Sequence, residues 1–125
     1  MWMRHSEISM TVNRKIIEAL KVYGMPVVAD HYSGKEKRYI EFNLYDDTGT
    51  VFADGEPEAN IVTVQVHLLL PREEDYLQLK KKIRMSLCDA GFCYADITEF
   101  TEPEATDQYP RGIRHITFET EIEED

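Results

Sequence analysis

Residues Tyr39 to Leu70 read YIEFNLYDDTGTVFADGEPEANIVTVQVHLLL. Both ends of this stretch alternate in the period-two pattern of a strand with one buried face. Ile40, Phe42 and Leu44 point one way; Tyr39, Glu41, Asn43 and Tyr45 point the other. In the second run Val62, Val64, Val66, Leu68 and Leu70 form a fully apolar face that must be buried. Ile61, Thr63, Gln65, His67 and Leu69 form a half-polar one, suited to exposure or to contact with another subunit. At about 3.3 Å per residue, Ile61 to Leu70 spans about 33 Å. Two strands of this length, joined as a hairpin, leave edges that need covering. This stretch therefore points to assembly more than to catalysis.

Between the two runs lie Asp46, Asp47, Asp54, Glu56 and Glu58, with Gly49, Gly55 and Pro57 and no Lys or Arg. That composition reads as an acidic turn region and solvated loop. Thr50 to Ala53 is expected to continue the first strand past a bend or bulge at Gly49.

Outward from the hairpin, the N-terminal side reads as a helix. Val12, Ile16, Ala19, Leu20 and Tyr23 share one helical face, with Thr11 as the expected N-cap, Gly24 as the C-terminal stop and Pro26 beyond it. Residues 1–10 read as an N-terminal extension or tag-like segment, and 11–125 as a single domain. Val27 to Ala29 suits a short extended piece. On the C-terminal side Pro71 is expected to open a second helix, with Glu73, Glu74 and Asp75 in its first turn. Tyr76, Leu79, Ile83, Leu87 and Ala90 form its apolar stripe, Lys80 to Arg84 a solvated basic face, and Gly91 its stop. Two further strands are expected, Phe92 to Phe100 and Ile113 to Ile122, separated by the acidic loop TEPEATDQYPRG. The order α-β-β-α-β-β, with one apolar stripe per helix, predicts an α+β two-layer sandwich. Its mostly antiparallel sheet would carry both helices on one face.

The chain has 125 residues and a formal net charge of −10. Such acidity argues against a nucleic-acid-binding module, because Lys and Arg supply most of the affinity for phosphate. No run of apolar residues is long enough for a membrane span, and the N-terminus lacks the apolar stretch of a signal peptide. A cytoplasmic protein is expected. Cys88 and Cys93 read as ordinary thiols in a reducing compartment.

Little in the chain suggests chemistry. His5, His31, His67 and His115 are far apart, and neither they nor the cysteines show metal-ligand spacing. Phosphate-loop, nucleophile-elbow and zinc-protease motifs are missing. The Asp46–Asp54 segment lacks the calcium-loop pattern. His67 reads as a satisfied structural histidine. No catalytic residue, metal or cofactor is expected, and the chain does not read as an enzyme.

Several segments, in their order, resemble one family. YIEFNLY is followed by FADGEPE running into IVTVQVHLLL, then by LKKKIRMSLCDAGF, and the last strand follows YPRG. Over roughly residues 10–123 the chain resembles the tail-completion or tail-terminator proteins of long-tailed phages and prophages. The resemblance implies a structural, head–tail joining protein whose subunits close into a homo-oligomeric ring, commonly of six. Such a ring caps the tail tube and meets the head connector, and DNA passes through it. Its partners would be its own copies, the tail tube protein and the head connector protein. It would reside in the host cytoplasm during assembly, then at the virion neck or tail end. On that reading Asp46, Asp47, Asp54, Glu56, Glu58, Glu102, Glu104 and Asp107 are candidates for a subunit or partner interface or for the channel rim. The alternative is a small α+β ligand-binding or regulatory module, which would need a concave apolar pocket with convergent polar groups.

Overall fold

The computed structural model describes the backbone of residues 5–53 and 56–124, and the side chains of 12–45 and 60–123. It is an α+β domain with a five-stranded mixed sheet and two helices. Helix α1 spans His5–Leu20 and tightens into a 3-10 turn, Lys21–Tyr23. Strands β1 (Val27–Ala29), β2 (Tyr39–Ala53) and β3 (Glu56–Pro71) follow. Helix α2 (Leu77–Asp89), β4 (Asp96–Glu102) and β5 (Ile113–Glu124) complete the order. The short piece at Val27 is thus a strand in its own right, one more than the six-element order expected. It runs parallel to β2, which makes the sheet mixed. Spatially the strands lie β1-β2-β3-β5-β4, and every pair but the first is antiparallel.

One core explains the alternation. Val12, Ile16 and Leu20 of α1 and Ile83 and Leu87 of α2 are fully buried. They cluster with Ile40, Phe42, Val62, Val64, Val66, Leu68, Leu70, Ile116 and Phe118. Ala19, Tyr23, Tyr76, Leu79 and Ala90 pack at its border, so both helical stripes have the phase read from the sequence. The Tyr23 hydroxyl ties the helices together, donating to the Lys82 carbonyl at 2.9 Å and meeting Ser86 Oγ at 2.5 Å.

Several boundaries differ from expectation, each for a physical reason. Helix α1 begins at His5, so Thr11 lies inside it rather than capping it. Pro71 ends β3 instead of opening a helix; its missing N–H costs nothing at the last rung, opposite Ile113. Glu73, Glu74 and Asp75 occupy the turn before α2, where Asp75 accepts the Leu77 N–H at 3.2 Å and Glu74 pairs with Arg38. The far end of α2 follows expectation: Gly91 takes φ 104°, and its N–H and that of Phe92 reach back to Cys88 and Leu87. This is the paired closure that a left-handed glycine permits. The acidic stretch expected as a loop is mostly strand. β2 runs through to Ala53 and β3 starts at Glu56. The ladder absorbs irregularities between Leu44 and Asp46, Gly49 and Val51, and Val51 and Phe52. A bulge near Gly49 was expected; the one at Tyr45 was not. Strand β4 begins at Asp96, not Phe92, because Gly91 to Ala95 are held elsewhere. Cys93 N–H reaches Glu121 and the Ala95 carbonyl receives Arg84.

Arg84 also changes the reading of the basic face. Its guanidinium donates to Ala95 O through Nε at 2.9 Å and Nη2 at 2.5 Å, and stacks 4.0 Å over the Tyr94 ring. Lys80 reaches Glu99 at 3.4 Å. Of this cluster Lys81 and Lys82 are exposed, and Lys80 and Arg84 are half-buried.

Candidate functional site

The acids singled out in the sequence do not converge. Asp46 and Asp47 lie in β2 opposite Thr63 and Val62, and Glu56 opens β3 opposite Ala53, with Glu58 two residues on. Asp54 lies outside the described residues. Glu102 ends β4 opposite Ile113, and Glu104 and Asp107 are exposed in the loop that follows. The two groups sit toward opposite ends of β3, a strand about 50 Å long at about 3.3 Å per residue. The exposed Glu119, Glu121 and Glu123 of β5 join the hairpin group, since β5 runs toward Asn60.

What does converge lies on the sheet face that does not join the core. Its residues alternate with the core set: Glu41, Asn43, Thr63, Gln65, His67 and Leu69 on β2 and β3, and His115, Thr117 and Glu119 on β5. His67 sits at its centre. Its Nε2 lies 3.3 Å from Asn43 Oδ1, and its Nδ1 is 3.0 Å from both His115 Nε2 and Thr117 Oγ1. With Asn43 Oδ1 accepting from the Nε2–H tautomer of His67, Nδ1 is left to accept from the hydroxyl or the second imidazole. Phe100 of β4 packs on His115 with ring centroids 4.8 Å apart. Glu41 accepts the Tyr32 N–H at 2.6 Å and lies 3.3 Å from His31.

Burial pushes both His67 and His115 below the ordinary histidine value, and each ring is half covered by its neighbours. The neighbouring histidine reinforces the effect at His67, while Glu41 opposes it at both rings and Glu102 at His115. The pair is therefore a neutral, hydrogen-bonded patch at neutral pH. Its expected role as a satisfied structural histidine holds for His67, which has partners at both ring nitrogens. Sequence reading missed His115, Thr117, Asn43 and Phe100 as its companions. The alternation of His115, Thr117 and Glu119 was a signal, but only the β3–β5 register brings residues of such different sequence position together.

Chemically, the face offers neutral imidazoles, amides, hydroxyls and aromatic edges. This mixture suits a protein contact, where aromatic and hydrogen-bonding groups dominate. Among the described residues, no group of three or more His, Cys, Asp or Glu is placed to hold a metal ion. No described helix is long and apolar enough to cross a membrane. A cleft of about 540 Å³ lies elsewhere, between Tyr23–Met25, Lys35–Arg38 and Glu74. Its lining is mostly charged rather than apolar.

Fold and site together describe an α+β domain with a five-stranded mixed sheet and two helices. No protein-family model matches the chain, and no curated protein matches it either.

Proposed function

We propose that this chain is a structural assembly subunit, of the tail-completion type found in long-tailed phages and prophages. The reading takes the domain as a two-layer sandwich, both helices over one face of the sheet. Copies close into a ring that caps the tail tube and meets the head connector at the virion neck, and DNA passes through. The subunit carries out no catalysis. Asp46, Asp47, Asp54, Glu56, Glu58, Glu102, Glu104 and Asp107 are the candidates for a subunit or partner interface or for the channel rim.

One observation carries the reading. Strand β1 pairs with β2 only as far as Phe42, so from Asn43 to Ala53 the outer edge of β2 pairs with no described strand. Glu56 to Ala59 of β3 likewise pair with β2 alone, beyond the last β5 rung at Asn60. A long edge of free N–H and C=O groups invites another chain. The bulges and the acids in this stretch fit an edge that must not pair indiscriminately.

Sedimentation velocity over a wide concentration range tests the proposal, together with electron microscopy of tail tubes polymerised with and without the protein. A discrete oligomer that binds tube ends and limits tube length is expected. A strict monomer that leaves tube length unchanged refutes the reading, and a monomer carrying a bound metabolite favours the ligand-binding module instead.

A further inference from the structure

We infer that the open sheet face of one copy seats on the helix side of the next, head to tail. This rests on the self-association proposed above and specifies which surfaces meet.

Charge is the first argument. No Lys or Arg occurs from Tyr39 to Pro71, nor from His115 onward. The open face instead carries the exposed Glu119, Glu121 and Glu123 and the half-buried Glu41. The helices carry a net opposite sign. Arg14 on α1 and Lys81 and Lys82 on α2 are exposed, while Lys21 pairs with Glu18 at 2.6 Å and Asp89 is the exposed acid of α2. Open face against open face would set glutamates against glutamates, and helix side against helix side would set cations together. Only a heterologous contact brings opposite signs together, and a heterologous contact repeats into a ring or a filament.

Exposed apolar groups are the second argument. On the helix side Val22 is 75% exposed, Leu77 51% and Met85 52%. Leu77, Lys81 and Met85 are spaced four apart and form one stripe of α2. The other surface has its own counterparts in Tyr45, 61% exposed, and Phe100, 49% exposed. Apolar centres ringed by charge are the usual anatomy of a specific contact. Size agrees as well. Strands β2, β3, β5 and β4, at about 4.8 Å spacing and about 3.3 Å per residue, present about 800 Å² in plan. A standard interface needs about 800 Å² of corrugated surface per partner.

The test uses charge reversal on the full chain. Lys81→Glu with Lys82→Glu, and separately Glu119→Lys with Glu121→Lys, are each expected to weaken self-association more than about tenfold by sedimentation velocity. Carrying all four substitutions on one chain restores opposite signs across the contact, and assembly should return. On the wild type, raising salt from about 0.1 M to about 1 M shortens the Debye length from about 10 Å to about 3 Å and should shift the equilibrium toward monomer. This arm needs no variant to fold. If the wild type assembles and neither reversal nor salt alters it, the docking is overturned while self-association stands. If the reversed variants still self-assemble but lose the tube ends, the open face serves another protein and the inference again fails. A wild type monomeric at every concentration overturns both readings.

Discussion

Replacing Ile83 by Ala probes the packing on which every surface of this domain depends. Ile83 is fully buried in the middle of α2, against the strand residues of the core. The change removes three carbons, worth about 0.8 kcal/mol each, or about 2.4 kcal/mol of transfer free energy. A void of up to about 75 Å³ would add about 1.8 kcal/mol at about 24 cal/mol per Å³ if nothing relaxed. Partial collapse brings the expected loss to about 3–4 kcal/mol, out of a total stability of roughly 5–15 kcal/mol. A urea titration reads this as a lower midpoint with an unchanged slope. Met85→Ala, two residues on but 52% exposed, should change stability by less than about 0.5 kcal/mol. Equal losses for the two variants, or an Ile83→Ala loss below about 0.5 kcal/mol, would refute the helix phase and the core built on it.

Gly112 adopts φ 94°, and a Cβ there would stand 2.2 Å from the Glu102 carbonyl; Gly112→Ala should cost about 2–4 kcal/mol by thermal or urea denaturation, more than backbone strain alone. Tyr109 is buried and donates to the Lys37 carbonyl at 2.9 Å, so Tyr109→Phe should lose about 1 kcal/mol by urea titration. Burial holds that phenol up to about 12 and also raises Tyr39, so alkaline absorbance titration of the wild type should show late-ionising tyrosines, one fewer after Tyr109→Phe. His67 and His115 are both lowered, mainly by burial, so the folded chain binds fewer protons than the unfolded one near their ordinary value of 6.5. Their contribution is complete above about pH 7 and is lost as the pH falls through their folded values. Urea midpoints should therefore decline on acidification, and His115→Gln should flatten that decline.

The amphipathic patterns were legible because burial imposes them residue by residue. Val12, Ile16 and Leu20, then Ile83 and Leu87, repeat at helical spacing, and Val62 to Leu70 alternate without a break. The Gly91 stop was equally legible, since a left-handed closing residue favours glycine. Boundaries failed where one residue type serves two roles. Pro71 suits a helix start and also the last rung of a strand, and acids before a helix suit its first turn as well as the turn preceding it. The segment 46–58 read as a loop from its Gly, Pro and Asp content, yet bulges let the ladder continue through most of it. The His67–His115 pair was hidden because contact between residues on different strands depends on register, and register is set by the whole sheet. Arg84 looked solvated because nothing in its own helix reveals the Ala95 carbonyl it reaches.

The strand order has a consequence for how the chain is made. β4 pairs with β5 and with no other described strand, yet β4 is translated first. β3 likewise waits for β5 along one side, from Pro71 to Asn60. As synthesis proceeds from the N-terminus, β2 and β3 zip at once, while β4 emerges with nothing to join. The sheet closes only when β5 clears the ribosome and slides between two strands already made. Until then β3 displays an unpaired edge with the apolar run Val62 to Leu70, and the nascent chain is most exposed to mispairing with its neighbours on the same message.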